Sequence, residues 1–343
     1  DDGAPFHPGN LDITHPKGLD GDGTWTPGAP VRPLCELVRS LDVWPSHEHF
    51  EREEHHGILD THGRFCLEDD SEAYRTADDT WFDKTPREER GKDWWFFGYG
   101  LDYPAALADF IRILGPIPLV PRYTFGFWYS RWFEYTARDI VDIATKYRKA
   151  RLPMDVMVID TEWRKDGWRG YDWHPARFRT AKGMMKKLHD MGLKVPLNDH
   201  PGYWSPDPLP SYDKALPRVK KELGFPRWQS EWACNWSDPE CVAVWRDHVL
   251  KRPFAQGMDF WWIDGWAAPP CSDVRGQGWV NRHYYELTED ATKKRALILS
   301  RWGGWGSHRY PVQFSGDTYS DWPTLRHQIA FTADSCGAGA VYW

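Results

Sequence analysis

From residue 121 onward, short apolar segments alternate with segments of helical periodicity. The apolar segments are typical of strands that are buried on both faces, as in a parallel sheet covered by helices. Strands that alternate with helices predict an α/β fold with a parallel sheet. The predicted strands cover residues 125–130, 155–160, 194–198, 259–264, 296–300, 312–316 and 340–343.

The number and spacing of these strands favour a barrel over an open sheet. Seven strands in about 220 residues fit a (β/α)8 TIM barrel. No Gly-x-Gly-x-x-Gly motif stands at a strand-to-helix turn, so a dinucleotide-binding sheet has no support. A closed barrel needs an eighth strand, because two open parallel edges would expose its core. We therefore expect the sequence to be a fragment of a longer polypeptide.

The part of the chain before residue 121 has a different character. It is rich in Pro, Gly, Asp, Glu and His, with only short strand-like pieces, and Gly115–Pro121 contains three prolines. Such a run fits neither a helix interior nor a central strand. We predict three parts: a β-rich segment with irregular loops (residues 1–93), a linker helix with a proline-rich connection (94–121), and the barrel, truncated after its seventh strand (122–343).

Charge and composition exclude several classes of protein. A net charge of −7 without a long basic run argues against a nucleic-acid partner. No run of about 20 apolar residues could span a membrane. The six cysteines include no Cys-x2-Cys pair, which argues against structural zinc. Cys234 and Cys241 are near enough for a disulfide, although reduced thiols fit equally well. With the glycosylation sequon Asn235–Ser237, they favour secretion or the secretory lumen over the cytoplasm.

Polar and charged residues follow the predicted strands, and in a barrel such residues converge on one mouth. Two carboxylates presented there among aromatic side chains suggest acid/base chemistry on a sugar. An arginine could keep one carboxylate ionised as a nucleophile, while a carboxyl in a drier pocket would have a raised pKa and serve as the acid. These residues are Asp160, Glu162, Asn198, Asp199, His200, Asp264, Arg301 and Asp317.

Tryptophan is unusually frequent, with 23 residues in the chain. Some of them belong to the core, because large aromatic side chains dominate burial. Others cluster at predicted strand ends, where their flat faces suit the C–H faces of a pyranose ring. This second group contains Trp128, Trp132, Trp163, Trp168, Trp173, Trp204, Trp262, Trp266, Trp302 and Trp305.

Several of these segments, taken in order, resemble glycoside hydrolase family 31. The resemblance covers residues from about 94 to 343 and implies a retaining exo-α-glycosidase on a (β/α)8 barrel. It implies that Asp264 is the nucleophile of a covalent glycosyl-enzyme and that Asp317 is the acid/base residue, with their carboxyl groups about 5–5.5 Å apart. The segments are Phe125–Arg131, Val158–Trp163, Asp172–Phe178, Phe260–Asp264, Leu299–Arg301, Ser307–Pro311 and Phe314–Thr318.

The resemblance also implies how a sugar is bound. Asp160 would bind hydroxyls in the −1 subsite, Arg301 would lie beside nucleophile and sugar, and tryptophans would form the wall. Oligosaccharides or glycosides are the expected partners, and no metal or organic cofactor is implied. Residues 1–93 resemble the end of the N-terminal β-sandwich domain of the family. The full set of predicted substrate-binding residues is Asp160, Glu162, Arg301, Trp128, Trp262, Trp302 and His200.

Two departures from the family leave alternatives open. Glu162 stands where the family usually has Asp, so glucose, galactose, xylose and N-acetylgalactosamine all remain candidate sugars. The His-Asp pair of the eighth strand is absent from the sequence. A catalytically silent sugar-binding relative and an α-transglycosylase remain alternatives, as does a metal-dependent barrel hydrolase that uses His200, Asp160 and Asp264. The oligomeric state is not predicted.

Overall fold

The computed structural model describes the greater part of the chain after residue 93 and short segments before it. The described residues are 13–14, 24–25, 36–38, 54–56, 58–61, 63–69, 93–167, 169–201, 213–223, 234–265, 274–301, 306–337 and 342.

Short strands and seven longer helices make up the described part of the chain. The strands are β1 (Ile13–Thr14), β2 (Thr24–Trp25), β3 (Glu36–Val38), β4 (Glu54–His56), β5 (Phe65–Asp69), β6 (Asp93–Phe97), β7 (Trp128–Tyr129), β8 (Val156–Met157), β9 (Arg164–Asp166), β10 (Arg169–Trp173), β11 (Pro196–Asp199), β12 (Phe260–Ile263) and β13 (Leu299–Ser300). The helices are α1 (Tyr103–Leu114), α2 (Ala137–Lys149), α3 (Ala181–Asp190), α4 (Leu216–Leu223), α5 (Pro239–Trp245), α6 (Val274–Thr292) and α7 (Trp322–Gly337).

Five strands lie side by side in parallel, in the order β7, β8, β11, β12 and β13. The chain then continues the same sheet through Gln313, which forms a parallel bridge with Ser300. The Gln313 backbone N–H donates to the carbonyl oxygen of Tyr342 at 3.1 Å. Neighbouring parallel strands joined by helices are the architecture of the (β/α)8 barrel, and the predicted fold class is confirmed.

The side chains of the barrel strands alternate between two hydrophobic clusters. One cluster fills the barrel interior, and the other lies between the strands and the surrounding helices. Because successive side chains of a strand point to opposite faces, each strand divides its residues between the two. The interior set includes Val156, Val158, Phe260, Trp262, Leu297 and Val312. The outer set includes Met157, Ile159, Leu197, Trp261, Ile263 and Ile298.

Helices α2 and α3 begin and end within one residue of the predicted positions. Thr136 and Asp139 form a reciprocal capping box at the start of α2. At the end of α3, Gly192 adopts a φ of 79°, a conformation that glycine reaches without steric cost. Helix α7 is longer than the predicted segment 325–332.

Several predicted elements are shorter in the structure. The predicted strands 155–160 and 296–300 keep two strand residues each, in β8 and β13. The predicted strand 125–130 is reduced to β7, which follows a short 3-10 turn at Arg122–Phe125. The predicted strand 312–316 forms a single bridge. The predicted helix 241–257 ends early: α5 passes into a π-helical turn to Leu250, because Pro253 lacks an N–H for helix continuation. Apart from residue 342, the predicted strand 340–343 lies outside the described residues.

The antiparallel hairpin β9–β10 was not predicted, and it packs behind the ends of the barrel strands. Its anchor is the buried Asp213, which accepts a hydrogen bond from the Tyr171 backbone N–H and pairs with Arg252 at 2.8 Å. The hairpin therefore holds Arg164 and Tyr171 in fixed positions beside β11.

The described N-terminal residues form antiparallel pairs and pack against the barrel. A third, smaller hydrophobic cluster joins Ile58, Phe65 and Phe97 to α1 and to Phe331 of α7. These pairs accord with a β-rich N-terminal part, but the division at residues 93 and 121 stays a prediction. Among the described helices, none is both long and apolar enough to cross a membrane.

Candidate active site

The polar side chains of the site point into the barrel because each continues the inward-facing positions of its strand. Asp264 continues the interior series of Phe260 and Trp262, and Asp160 continues that of Val156 and Val158. By the same alternation, Asn198 and His200 face inward from β11, and Arg301 faces inward from the end of β13. The predicted convergence is therefore observed for these residues, whereas Asp199, which was predicted with them, faces outward because it alternates with Asn198 and His200.

Asp264 is buried and accepts hydrogen bonds on both carboxylate oxygens. Its Oδ1 accepts from Arg301 Nε at 2.6 Å and lies 2.5 Å from Arg301 Nη2. Its Oδ2 accepts from Asn198 Nδ2 at 3.1 Å and lies 3.5 Å from His200 Nε2. Donors on both oxygens fix the plane of this carboxylate and favour its ionised form.

Arg301 joins Asp264 to Asp317. Its Nη2 also donates to Asp317 Oδ1 at 3.0 Å. Because the same nitrogen contacts both carboxylates, the two Oδ1 atoms are at most about 5.5 Å apart. This upper limit is compatible with a retaining glycosidase, whose two carboxyl groups are about 5–5.5 Å apart. Asp317 is open to solvent, with 74% of its side chain exposed, so a substrate can reach it.

The two buried carboxyl groups have pKa values shifted in opposite directions. Burial alone would raise the pKa of Asp264, but the interaction with His200 and the charge of Arg301 lower it to about 2. Burial raises the pKa of Asp160 to about 7, and the nearby carboxylates of Asp264, Asp317 and Glu162 raise it further, against the hydrogen bond from the Thr161 backbone N–H. Near neutral pH, Asp264 is ionised and Asp160 is partly protonated.

The drier carboxyl expected from the sequence is therefore Asp160, because Asp317 is largely exposed. Glu162 follows Asp160 in a short 3-10 turn and forms an ion pair with Arg177 at 3.0 Å. This pair holds the longer glutamate side chain beside Asp160.

Of the three tryptophans predicted to form the wall of the sugar site, the structure describes Trp128 and Trp262. Trp262 lies in the interior two residues before Asp264, about 7 Å deeper along the strand. Its ring meets Phe314 edge-on at 5.6 Å, and its buried Nε1 makes no hydrogen bond to the described residues. Trp128 contacts Phe260 deeper in the barrel, so its role in sugar binding stays a prediction. Trp302 lies outside the described residues.

His200 is closely packed against the backbone of the next strand end. A Cβ added at Gly265 would meet His200 Nδ1 at 2.4 Å. Within the described residues, no group of three His, Cys, Asp or Glu side chains is arranged to hold a metal ion. The geometry of Asp264, which already accepts hydrogen bonds on both oxygens, does not support the metal-dependent alternative with His200 and Asp160.

Asn198 contacts the nucleophile candidate but is absent from the predicted sugar-binding set. A signal for it was present in the sequence. Counting alternate positions back from His200 places Asn198 on the inward face and Asp199 on the outer face, where Asp199 is found.

Comparison with known proteins identifies the family. The sequence profile of the glycosyl hydrolases family 31 TIM-barrel domain matches residues 117–343. An α-xylosidase of Saccharolobus solfataricus is 26% identical over 291 residues, which are 75% of this chain and 38% of the relative. The lysosomal α-glucosidase of Bos taurus is 22% identical over 288 residues, with 67% and 30% covered.

Solved structures share the fold. The α-xylosidase of Xanthomonas citri matches with a TM-score of 0.59 and 21% identity over 74% of this chain and 31% of its own. The cycloalternan-forming enzyme of Listeria monocytogenes matches with a TM-score of 0.62 and 16% identity, covering 74% and 28%. The chain thus spans about a third of the length of these relatives. Its profile match and strand order together place it in glycoside hydrolase family 31.

Proposed function

We propose that the protein is a retaining exo-α-glycosidase that hydrolyses terminal α-linked sugars through a covalent glycosyl-enzyme. The observation that carries this proposal is the arginine shared by two carboxylates, since Arg301 contacts both Asp264 and Asp317. Their separation suits direct attack on an anomeric carbon, whereas an inverting enzyme leaves room for a water molecule.

In the first step, a carboxylate oxygen of Asp264 attacks the anomeric carbon as the bond to the leaving oxygen breaks. Asp317 gives its proton to that oxygen, so the departing group leaves as an alcohol. In the second step, Asp317 takes a proton from water, the water oxygen attacks the same carbon, and the Asp264 ester bond breaks. The low pKa of Asp264 supports its role as nucleophile.

Asp160 is a second candidate for the acid, because its pKa of about 7 suits proton donation near neutrality. We favour Asp317, because its exposed carboxyl lies where a leaving group can depart to solvent. Asp160 would then hydrogen-bond to sugar hydroxyls, together with the buried Nε1 of Trp262.

We propose that the substrate is an α-xyloside or an α-glucoside, in accordance with the relatives described as α-xylosidases and α-glucosidases. The pair of Glu162 and Arg177 limits the space next to Asp160 and would contribute to the choice between them. Hydrolysis and transglycosylation share the intermediate, so product analysis with sugar acceptors separates them. We retain the three-part division at residues 93 and 121 as part of the proposal.

Azide rescue tests the assignments in the complete natural protein. Asp264→Ala should abolish hydrolysis of 4-nitrophenyl α-glycosides, and azide should restore turnover of an α-glycosyl fluoride with a β-glycosyl azide as product. Asp317→Ala should still release 4-nitrophenol in a burst, because this leaving group needs little protonation, and azide should then give the α-glycosyl azide.

Asp160→Ala is the matched control. If Asp160 rather than Asp317 is the acid, the α-glycosyl azide will form with Asp160→Ala and not with Asp317→Ala. If the wild-type protein binds sugar but releases no 4-nitrophenol from any α-glycoside, the catalytically silent alternative is correct.

The location in the secretory pathway stays a prediction. The side chain of Asn235 is exposed, as glycosylation requires, although the neighbouring Cys234 and Cys241 are buried. Their sulfur atoms are 3.9 Å apart, beyond the length of a disulfide. A mobility shift after endoglycosidase treatment, absent in Asn235→Gln, would support passage through the secretory pathway.

A further inference from the structure

We propose that Asp199 is a positioning residue that fixes Asn198 and His200 against the carboxylate of Asp264. This inference rests on the proposed function. Asp199 does not face the sugar site: it ends β11 with its side chain on the outer face, while its two neighbours in sequence face inward.

Asp199 is fully buried and is surrounded by donors. It forms an ion pair with the buried Arg164 of β9, and the hydroxyl of Tyr171 donates to its Oδ1 at 2.9 Å. The hydroxyl of Tyr284 in α6 donates to Oδ2, and the His200 backbone N–H donates to Oδ1 at 2.9 Å. One carboxylate thus joins the hairpin, the helix and the strand end.

The backbone on both sides of Asp199 is tied to the active site. The Asn198 carbonyl accepts from Trp163 Nε1 at 2.9 Å and from Arg164 Nη2 at 3.2 Å. The Asp199 carbonyl accepts from the Asp264 backbone N–H at 2.9 Å. A rotation of this peptide would therefore move Asn198 Nδ2 relative to Asp264 Oδ2, a contact of 3.1 Å.

A stabilising role alone does not account for this arrangement. A buried ion pair is often no better for stability than apolar side chains of similar volume. The chain offers a matched comparison in Asp213, which is also fully buried and paired with an arginine, Arg252. Asp213 binds the start of α4 and the hairpin, and no described contact joins it to Asp264.

The test compares Asp199→Asn with Asp213→Asn in the complete natural protein. The charged and titratable groups around Asp264 are Arg301, His200, Asp160 and Asp317. Loss of the negative charge of Asp199 would by itself lower the pKa of Asp264. Weaker contacts from Asn198 and His200 would raise this pKa instead. We expect the acid limb of kcat/KM for Asp199→Asn to move to higher pH by about half a unit, because hydrogen bonds to a carboxylate favour its charged form.

We expect kcat for Asp199→Asn to fall about tenfold per folded molecule, because the reacting carboxylate loses its orientation, with KM changed less than twofold. Asp213→Asn should lose stability while its pH limb and its kcat per folded molecule stay at the wild-type values. The split between kcat and KM is a readout that a purely structural role would not produce.

A milder pair of variants covers the case in which Asp199→Asn does not fold. Tyr284→Phe removes one donor to Asp199 without changing a charge, and Tyr285→Phe is its control on the same helix. We expect only Tyr284→Phe to shift the acid limb upward. A crystal structure of Tyr284→Phe should show Asn198 Nδ2 withdrawn beyond hydrogen-bond distance from Asp264, a readout independent of activity.

The inference is overturned if both Asp199→Asn and Tyr284→Phe leave the acid limb in place or move it to lower pH. It is also overturned if the contact between Asn198 and Asp264 is unchanged in the crystal. An inactive wild-type protein would instead defeat the proposed function, and the crystallographic comparison would still decide the positioning role.

Discussion

At the scale of single residues, the buried carboxyl groups of Asp264 and Asp160 differ in the hydrogen-bond donors that surround them. The carboxylate of Asp264 accepts hydrogen bonds from Arg301 and Asn198 and lies close to His200. Within the described residues, the carboxyl group of Asp160 accepts a hydrogen bond only from the Thr161 backbone N–H. Both are substantially buried, so the difference in their pKa values comes from these partners and not from burial.

This difference predicts a trade-off between stability and activity at Asp160. Its folded-state pKa is about 7 and the ordinary value is 3.8, so its contribution to stability is present below pH 3.8 and is lost as the pH rises through 7. Asp160→Asn avoids the buried charge. We expect this variant to be more stable than wild type at pH 8 by up to about 4 kcal/mol, and at pH 5 by less than half of that difference, because the contribution is lost gradually between pH 3.8 and pH 7.

Urea unfolding at pH 5 and pH 8 measures this effect. Activity should fall at least about a hundredfold, because a sugar hydroxyl loses its partner. Equal stability of the two proteins at pH 8 would contradict the raised pKa of Asp160.

Gly265 carries a second prediction at this scale. A methyl group there would overlap His200 Nδ1 at 2.4 Å, so Gly265→Ala should displace the imidazole from Asp264. We expect kcat/KM to fall about tenfold or more, as for other small displacements in active sites. Gly278→Ala in α6 is the control, because an added Cβ meets nothing within 4 Å there. Similar kinetics for the two variants would count against a role for His200.

At the scale of elements, local sequence signals determine where helices begin. Thr136 Oγ1 accepts from the Asp139 backbone N–H at 3.2 Å, and Asp139 Oδ2 accepts from the Thr136 backbone N–H at 2.9 Å. We expect Thr136→Ala to lower the free energy of unfolding by about 1 kcal/mol. Arg138→Ala, at an exposed position on the same turn, should change it by less than about 0.5 kcal/mol. A smaller effect of Thr136→Ala than of Arg138→Ala in urea unfolding would reject the cap.

The elements also show which features the sequence could predict. The buried strands around Asp264 and Asp160 were predictable, because apolar runs with a terminal carboxylate are local patterns. The contact of Asn198 with Asp264 was predictable in principle from alternation. The cluster around Asp199 was not, because Arg164, Tyr171 and Tyr284 lie 35, 28 and 85 residues away in the chain. Only the tertiary fold brings them together.

At the scale of the whole molecule, the barrel depends on the segment that precedes it. The end of α1 is held by the barrel, because Arg309 Nη1 donates to the Leu114 carbonyl at 2.9 Å and His308 Nε2 lies 2.9 Å from the Gly115 carbonyl. Phe110 packs against His308 at 6.0 Å. The family match begins at residue 117, so its boundary cuts through these contacts.

We therefore expect the segment 117–343 to be less stable than the chain 1–343. Truncation would expose the apolar contacts of α1 and leave Arg309 and His308 without these acceptors. Thermal unfolding followed by near-ultraviolet circular dichroism should show a lower midpoint for the shorter chain. Equal midpoints would mean that α1 contributes nothing to the barrel.

The alternation of interior and exterior side chains along β12 also restricts how this chain can change. A substitution at Trp261 alters the contacts of one side chain, but a deletion between Phe260 and Asp264 would turn every later side chain of the strand to the opposite face. The length of β12 therefore determines which face Asp264 occupies, and only the present number of residues directs its carboxylate into the barrel. Related sequences should vary freely in the length of the loop after Gly265 while preserving the number of residues in β12.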